Sequence, residues 1–328
     1  MAPLSTALSA LAAIAAKQHG LMTHEQATAA GLNRMTLSRL VRSGAWQIVR
    51  PRVFRRAAAT QSEEQALRAV CLWLGDRRSP RARAAEKRET EFRGIAVSHL
   101  SAGRLLGLDL ARGEVEVTTP PKVGSTLPGV VFHRTRTLEE QDVKFIRGIA
   151  VTTGARTIID LASCLDEERL AIVVEEAWRR KIAAPDWVAR RLDKLASQGR
   201  KTGALAEILA DCRRREGPME SALEVKLWWR MKRSELPLPI PGYEFRDDFG
   251  QPMHLDFAFP ERQLAIECDG FEHHGDREAF ERDRQRAARL VAMGWRVMPV
   301  TWRQLENEKD KVIERIRQAL GYRSEPIG

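Results

Sequence analysis

The chain has 328 residues, a length that suggests two or three domains, and its 54 Lys and Arg residues exceed its 44 Asp and Glu residues by 10. With 43% hydrophobic residues and no apolar run near the roughly 18 residues of a membrane span, this composition excludes a disordered tail and a membrane protein. The Ala-rich start lacks a basic region before its apolar stretch, so we expect no secretion signal and a cytoplasmic location. The four cysteines are far apart, without a Cys-x-x-Cys pair or a His at ligand spacing, which argues against a zinc site.

Positive charge is concentrated at the start of the chain. Residues 1–60 hold eight Lys and Arg residues against the single acid Glu25, whereas residues 218–328 hold 18 against 20 acids. Positive charge on one face attracts the phosphate backbone of nucleic acid. Charge alone fits a solvated basic surface equally well, so the residue pattern has to decide.

Residues 1–60 show the pattern of a winged helix-turn-helix. Apolar residues at helical spacing predict a first helix that ends at Gly20. Thr23, with Gln26 three residues later, forms a capping box for a short second helix, and Asn33 can cap a third. Two short helices joined by a three-residue turn are typical of a helix-turn-helix, and the β-rich run 46–55 resembles its wing. The basic residues that we expect to contact double-stranded DNA are Arg34, Arg39, Arg42, Arg50 and Arg52.

Two phrases of this segment, GLMTHEQATAAGL and SGAWQIVRPRVFRR, resemble the winged-helix start of the AbiEi-type antitoxins. These antitoxins are DNA-binding partners in abortive-infection toxin–antitoxin pairs. The resemblance therefore implies that DNA is one partner and that a cognate toxin protein is a second. The alternative is a helical docking domain that happens to be basic.

The middle of the chain reads as a linker followed by an α+β domain. Residues 61–94 contain a helix and then the charged run GDRRSPRARAAEKRETEFRG, which has no apolar period. In residues 95–217 the pattern predicts a helix capped near Ser98 and strands in EVEVTT and VVFHRTR. The run TTGARTIIDLA predicts the end of a strand that leads into a helix. The phrases SHLSAGRLLGL, LPGVVFHRTR and VTTGARTIIDLA extend the resemblance to AbiEi-family antitoxins to about residue 180. His99, His133 and Arg156 could form a site, but such single polar residues are more often structural.

From Pro218 to the end, residues 218–328, the pattern changes to αβββαβα. An amphipathic helix is followed by the strand-like runs GYEFRD, HLDFAFP and QLAIECDG, a helix over about 276–293, the strand WRVMPVT and a last helix over 302–320. The strand period of two places Asp256 opposite the core face of its strand, while Glu267 and Asp269 share one face of the next. If the turn 261–263 makes these strands an antiparallel hairpin, Asp256 lies beside both acids.

Such converging acids point to a metal ion. Like charges on one sheet repel each other unless a cation holds them, and oxygen ligands of this kind suit Mg²⁺, with Mn²⁺ as the alternative ion. A bound Mg²⁺ can polarise a phosphodiester and generate hydroxide for attack. His273 and His274 follow closely and offer a general base or a phosphate contact. The competing interpretation is a solvated sheet edge, with the arginines of the next helix, Arg282, Arg284 and Arg286, as a salt-bridged face.

The phrases HLDFAFPERQLAIECDGFEHH and FERDRQRAARLVAMGWRVMPVTWRQL resemble the very-short-patch-repair-like endonucleases of the PD-(D/E)xK superfamily. The resemblance implies a Mg²⁺-dependent DNA nuclease in which Asp256 and Glu267 are metal ligands. It also implies that Glu220, on the first helix, is an acid that can reach the metal. Asp269 stands where the superfamily usually has Lys, so the base stays open; His273 matches the family's histidine and is the first choice, and His274 is the second.

The sequence thus predicts a multidomain α/β protein with a winged helix-turn-helix, an α+β middle domain and a restriction-endonuclease-like domain. Its preferred function is that of a DNA-binding, Mg²⁺-dependent endodeoxyribonuclease in defence or DNA processing. The alternative is a non-enzymatic, antitoxin-like transcriptional regulator with a degenerate nuclease fold.

Overall fold

The computed structural model describes residues 4–76, 94–121, 126–196, 202–269 and 277–322, so most of the predicted charged linker lies outside the described residues. The chain divides into two compact units, Met1–Leu165 with Ile182–Leu209, and Asp166–Lys181 with Ala210–Gly328. Both combine helices with a sheet, which confirms the multidomain α/β class. None of the described helices is long and apolar enough to cross a membrane. The domain limits at residues 60, 94 and 217 stay predictions.

The start of the first unit is a winged helix-turn-helix. Its elements are α1 Leu4–Lys17, β1 Leu21–Thr23, α2 His24–Ala29, α3 Arg34–Arg42, β2 Trp46–Arg50 and β3 Val53–Arg56. The strands form an antiparallel sheet in the order β1-β3-β2, over a core that includes Leu11, Met22 and Trp46. The predicted capping box of α2 and the Asn33 cap of α3 are confirmed. The sequence analysis missed β1 because three residues show no period and the strand exists only through its pairing with β3.

The next elements along the chain, of which α7 belongs to the second unit, are α4 Glu63–Asp76, β4 Ala96–Val97, α5 His99–Leu105, β5 Val115–Thr119, β6 Val130–Arg134, β7 Val143–Ile146, β8 Ile149–Thr152, α6 Gly154–Leu161, α7 Glu167–Arg179, α8 Pro185–Ala196 and α9 Gly203–Cys212. Their strands form a mixed five-stranded sheet in the order β6-β5-β4-β8-β7. The β4–β8 and β5–β6 pairs are parallel, whereas β4–β5 and β7–β8 are antiparallel. The predicted strands β5 and β6 are confirmed; β4 and β7 were not predicted, because two and four residues are too short to show a clear period.

A buried ion-pair network holds α6 in the first unit. The side chain of Arg156 is 1% exposed, and its guanidinium donates to Asp160, one turn along the helix, at 2.9 Å and to Asp142 at 3.1 Å. Arg191 from α8 also donates to Asp142, at 2.6 Å. Because every charge in this network has a buried partner of opposite sign, Arg156 has a structural role, as the sequence analysis favoured.

The second unit contains a four-stranded sheet and further helices. Besides α7, its elements are α10 Ala222–Lys232, β9 Ile240–Arg246, β10 Pro252–Phe259, β11 Leu264–Asp269, α11 Arg277–Ala292, β12 Arg296–Thr301, α12 Trp302–Asn307 and α13 Lys309–Ala319. The strands lie in the order β12-β11-β10-β9, in which the β11–β12 pair is parallel and the other pairs are antiparallel.

The predicted order of this unit is confirmed up to its last helix, which was predicted as continuous over 302–320. The backbone leaves the helical region at Glu308, with φ −137° and ψ 32°, and this residue separates α12 from α13. On the core face of β10, the ring of Phe257 stacks on Trp228 of α10 with the ring centroids 6.2 Å apart. Met253, Leu255 and Phe257 are buried while His254 and Asp256 are half-buried, so burial alternates as predicted up to Phe257. Ala258, which was predicted on the polar face, is buried as well, in the same core cluster as Leu255.

Candidate functional site

The helix-turn-helix presents its basic residues to solvent. Leu37 of α3 packs into the core, while Arg34, Arg39 and Arg42 are exposed on the same helix. Of the two wing residues, Arg52 is exposed at the tip of the β2–β3 hairpin and Arg50 is half-buried. These positions suit contacts of α3 with the major groove and of the wing with the backbone.

Two apolar side chains that the sequence analysis missed share this surface. Met35 on α3 is 74% exposed and Ile48 on β2 is 62% exposed. Thymine methyl groups offer apolar contacts in the major groove, which exposed side chains of this kind can make. The surface of α3 and the wing therefore combines charge for phosphates with apolar atoms for base edges.

The acids of the second unit lie on the predicted antiparallel hairpin. The β10–β11 ladder runs from Phe259–Leu264 to Phe257–Ile266 and stops one residue short of Asp256 and Glu267. These two acids are close enough for the negative charge of Asp256 to raise the pKa of Glu267. The structure therefore brings them together.

The backbone ladder is interrupted at Asp256. On the β9 side, the pairs Leu255–Tyr243 and Phe257–Pro241 leave Asp256 across from Gly242, whose φ is +57°. A residue with a Cβ atom rarely adopts this left-handed conformation, which glycine tolerates. On the β11 side, Oδ2 of Asp256 accepts a hydrogen bond from the Cys268 amide at 2.6 Å. The Asp256 carboxylate thus replaces a backbone partner at this point of the sheet.

Burial makes the ionised forms of these acids costly. It raises the pKa of Asp256, and it raises the pKa of Glu267 from 4.5 to about 7, an effect that Arg286 opposes and the charges of Asp256 and Asp269 increase. Burial also raises the pKa of Glu224 on α10, with a further contribution from Asp256. Arg286 offsets only part of the negative charge of these three coupled acids, and a divalent cation would offset more of it.

Arg286 on α11 is the positive partner of Glu267. Its Nη2 donates to both carboxylate oxygens, at 3.1 and 2.9 Å, and to the carbonyl oxygen of His254. A guanidinium stays protonated in proteins, so it can neutralise negative charge but cannot act as a base. The sequence pattern predicts Arg286 on a helix face but not this contact, because the partner is 19 residues away.

The prediction that Glu220 lies on the first helix is wrong. Helix α10 begins at Ala222 with Ser221 as its N-cap, so Glu220 precedes the helix, 73% exposed, with its Oε1 3.7 Å from Nε2 of His254. The buried acid of the helix is Glu224, whose Oε2 accepts from the Glu220 amide at 2.9 Å. Ser221-Ala-Leu-Glu224 was readable as a capping box, a motif that by itself indicates structure rather than function. Glu220, Glu224, Gly242 and His254 line a cavity of 660 Å³.

The remaining predicted site residues lie further along the chain. Asp269 is exposed at the end of β11. His273 and His274 lie outside the described residues. Within the described ranges, the hairpin acids are not among the groups that bring three ligand atoms within 4.8 Å of one another; the group that does is His99, Glu116 and His133 in the first unit.

Two protein families match parts of this chain. Residues 9–52 match a family described as "Transcriptional regulator, AbiEi antitoxin". Residues 241–320 match REase_MTES_1575, a family of restriction-endonuclease-like domains. The chain joins an AbiEi domain to a restriction-endonuclease-like domain. The predicted resemblance to AbiEi antitoxins and to restriction endonucleases is thus confirmed, and the AbiEi domain is a DNA-binding regulator domain. The relation of the middle region to AbiEi antitoxins and the very-short-patch-repair type of the nuclease stay predictions.

Individual relatives carry no description of function. The uncharacterized proteins MT2308 and Rv2248, from two strains of Mycobacterium tuberculosis, are each 28% identical to this chain over 177 residues. The alignment covers 53% of this chain and 63% of each relative, so the chain spans less than two thirds of their length. The crystal structure of RV2827C from Mycobacterium tuberculosis aligns with a TM-score of 0.40 and 16% identity, over 74% of this chain and 88% of that one.

Proposed function

We propose that this protein binds double-stranded DNA through α3 and the wing of its AbiEi domain, and that its restriction-endonuclease-like domain hydrolyses DNA phosphodiester bonds with Mg²⁺ or Mn²⁺. The observation that carries the proposal is the pair Asp256 and Glu267, two half-buried carboxyls that lie close together at the end of the β10–β11 ladder and whose pKa values are both raised. Partly desolvated acids of this kind are costly for stability, which argues for a functional role.

The donor set fits a hard divalent cation. Carboxylate oxygens are the ligands that Mg²⁺ and Mn²⁺ prefer, and Mg²⁺ is commonly held by one or two carboxylates together with substrate phosphates. Asp256 and Glu267 would hold the ion. Glu224 would add negative charge nearby, since its charge is coupled to that of Asp256. When bound, the ion polarises the phosphodiester and lowers the pKa of a water molecule.

The other residues of the site have separable roles. The Cys268 amide orients the carboxylate of Asp256 through its hydrogen bond. Arg286 balances the charge of Glu267. We propose that it also stabilises the negative charge that develops on a phosphate. Since Arg286 cannot accept a proton, we assign the base to His273 first and to His274 second.

Supercoiled plasmid tests this proposal directly. The parent should nick the plasmid with Mg²⁺ or Mn²⁺ and not with EDTA, and Asp256→Asn and Glu267→Gln should reduce nicking to background while the gel shift with DNA is unchanged. Glu261→Gln, an exposed acid in the turn of the same hairpin, is the matched control and should cut like the parent. Equal cutting by the Asp256 and Glu267 variants and the parent would refute the assignment.

A second candidate is a non-enzymatic, antitoxin-like regulator. It is favoured by Asp269 at the position where the superfamily usually has Lys, and by the ion pair that already neutralises Glu267. In that case the parent binds DNA in a gel shift and leaves the plasmid intact with every ion. A partner toxin would be identified by a neighbouring gene product that co-purifies with the full chain.

A further inference from the structure

Three chemically active side chains converge on one face of the five-stranded sheet in the first unit. The parallel register pairs Thr118 of β5 with His133 of β6. Glu116, two residues before Thr118, shares its face because strand side chains alternate. His99 follows β4, the strand that pairs with the other edge of β5. The sheet topology thus gathers residues from three segments of the chain.

The contacts among these side chains are close. Nε2 of His133 lies 2.7 Å from Oε2 of Glu116, and the His99 and His133 rings stack with their centroids 3.4 Å apart and an interplanar angle of 15°. One ligand atom of each residue lies within 4.8 Å of the other two. His99 and Glu116 are buried. Most of the cluster is therefore shielded from bulk water. Donors in such a low-dielectric surrounding interact more strongly with a cation than donors in water do.

A neighbouring hydroxyl positions one of the two imidazoles. The buried hydroxyl of Ser98 lies 2.9 Å from Nδ1 of His99 and holds that ring in place. A partner of this kind commonly fixes the orientation of a ligating histidine.

An adjoining cavity leaves space for a ligand. It has a volume of 670 Å³, and His99, His133, Arg134 and Thr118 are among its lining residues. The hydroxyl of Thr118 is buried and has no hydrogen-bonding partner among the described residues. A buried hydroxyl without a partner is costly, and a ligand in the cavity would satisfy it.

We propose that His99, Glu116 and His133 bind one divalent transition-metal ion of the zinc class, with a coordination position open to the cavity. Two imidazoles and one carboxylate are the composition of open zinc sites, and imidazole ligands favour zinc-class ions over Mg²⁺. The site differs in chemistry and position from the all-oxygen site of the restriction-endonuclease-like domain. The spacing of the cysteines, which argued against zinc, does not bear on it because none of the three ligands is a cysteine.

The test uses the metal-free full chain, without a His-tag, titrated with Zn²⁺ by calorimetry. The parent should bind one equivalent, and His133→Asn and Glu116→Gln should each weaken binding by at least about tenfold. His24→Asn, on α2 of the same unit, is the matched histidine control and should bind like the parent. The double variant Asp256→Asn and Glu267→Gln should also keep this site, which separates the result from the fate of the proposed nuclease.

Two further measurements keep the proposal testable if a variant fails to fold. Circular dichroism melting of each metal-free variant identifies loss of folding. X-ray absorption at the zinc edge of the dialysed parent should show imidazole and oxygen ligands without sulfur. Loss of zinc from the parent on dialysis, sulfur ligands, or undiminished binding by the folded His133 and Glu116 variants would overturn the proposal.

Discussion

Lowering the pH should weaken Mg²⁺ binding at the Asp256–Glu267 pair much more than ordinary carboxylates allow. Burial raises the pKa of Glu267 to about 7, and a metal ion binds only the ionised carboxylate. With that pKa, the ionised fraction of Glu267 falls from about 90% at pH 8 to about 10% at pH 6, so the apparent affinity for Mg²⁺ falls about tenfold, which is ~1.4 kcal/mol of binding free energy. Mg²⁺ therefore binds tightly above pH 7 and more weakly as the pH falls below 7. The raised pKa of Asp256 acts in the same direction.

Calorimetric titration with Mg²⁺ at pH 8 and pH 6, at matched ionic strength, measures this effect. Glu261→Gln should show the same tenfold change as the parent, whereas Glu267→Gln should bind weakly at both values and lose most of the pH dependence. A glutamate with its ordinary pKa stays almost fully ionised over this range, on the order of 97% at pH 6. Equal dissociation constants of the parent at the two pH values would therefore refute the argument that buried Glu267 binds the ion.

Three further predictions concern stability and DNA binding. In metal-free buffer, Glu267 retains its proton in the folded state between pH 4.5, its ordinary pKa, and about pH 7, whereas the unfolded state loses it, so stability falls as the pH rises through this range. The melting temperature of the parent should therefore fall more than that of Glu267→Gln between pH 5 and pH 8. Equal falls would contradict the raised pKa. Arg156→Met removes a buried positive partner from Asp160 and from Asp142, which keeps Arg191, and should lower the free energy of unfolding by about 3–5 kcal/mol in urea titrations, against less than about 0.5 kcal/mol for the exposed Arg136→Ala. Arg39→Gln should reduce the slope of log affinity for duplex DNA against log salt by about 1 in fluorescence anisotropy, and Lys17→Gln on α1 should not; identical slopes would place the DNA elsewhere.

Local signals were sufficient for the winged helix and for the faces of the hairpin. The caps at Thr23 and Asn33 are contacts between residues three apart, so sequence spacing alone predicts them. The alternation of β10 and β11 likewise follows from backbone geometry, and it placed Asp256 and Glu267 on one face once the strands pair. The strand Leu21–Thr23 escaped because three residues carry no period and gain their partner from another part of the chain.

The candidate sites show the same division. The acidic pair was predictable because a short turn joins its two strands, whereas Arg286 reaches Glu267 across a connection that no periodicity describes. The family resemblance pointed to Glu220 as an acid of the first helix, and Glu224 was not a candidate; which acid is buried depends on how α10 packs. His99 and His133 were treated as separate structural residues, since sequence spacing does not reveal that their rings stack.

The sequence by itself determined the order of the elements, the basic face of α3 and the acids of the hairpin, because propensity, capping and alternation act over a few residues. Only the tertiary structure decided which charges are buried, which positively charged side chain faces Glu267, and that Glu116 lies beside two histidines from other segments of the chain. The physical reason is that burial and ion pairing depend on long-range packing. Strand pairing brings together residues whose separation along the chain carries no information about their distance in space.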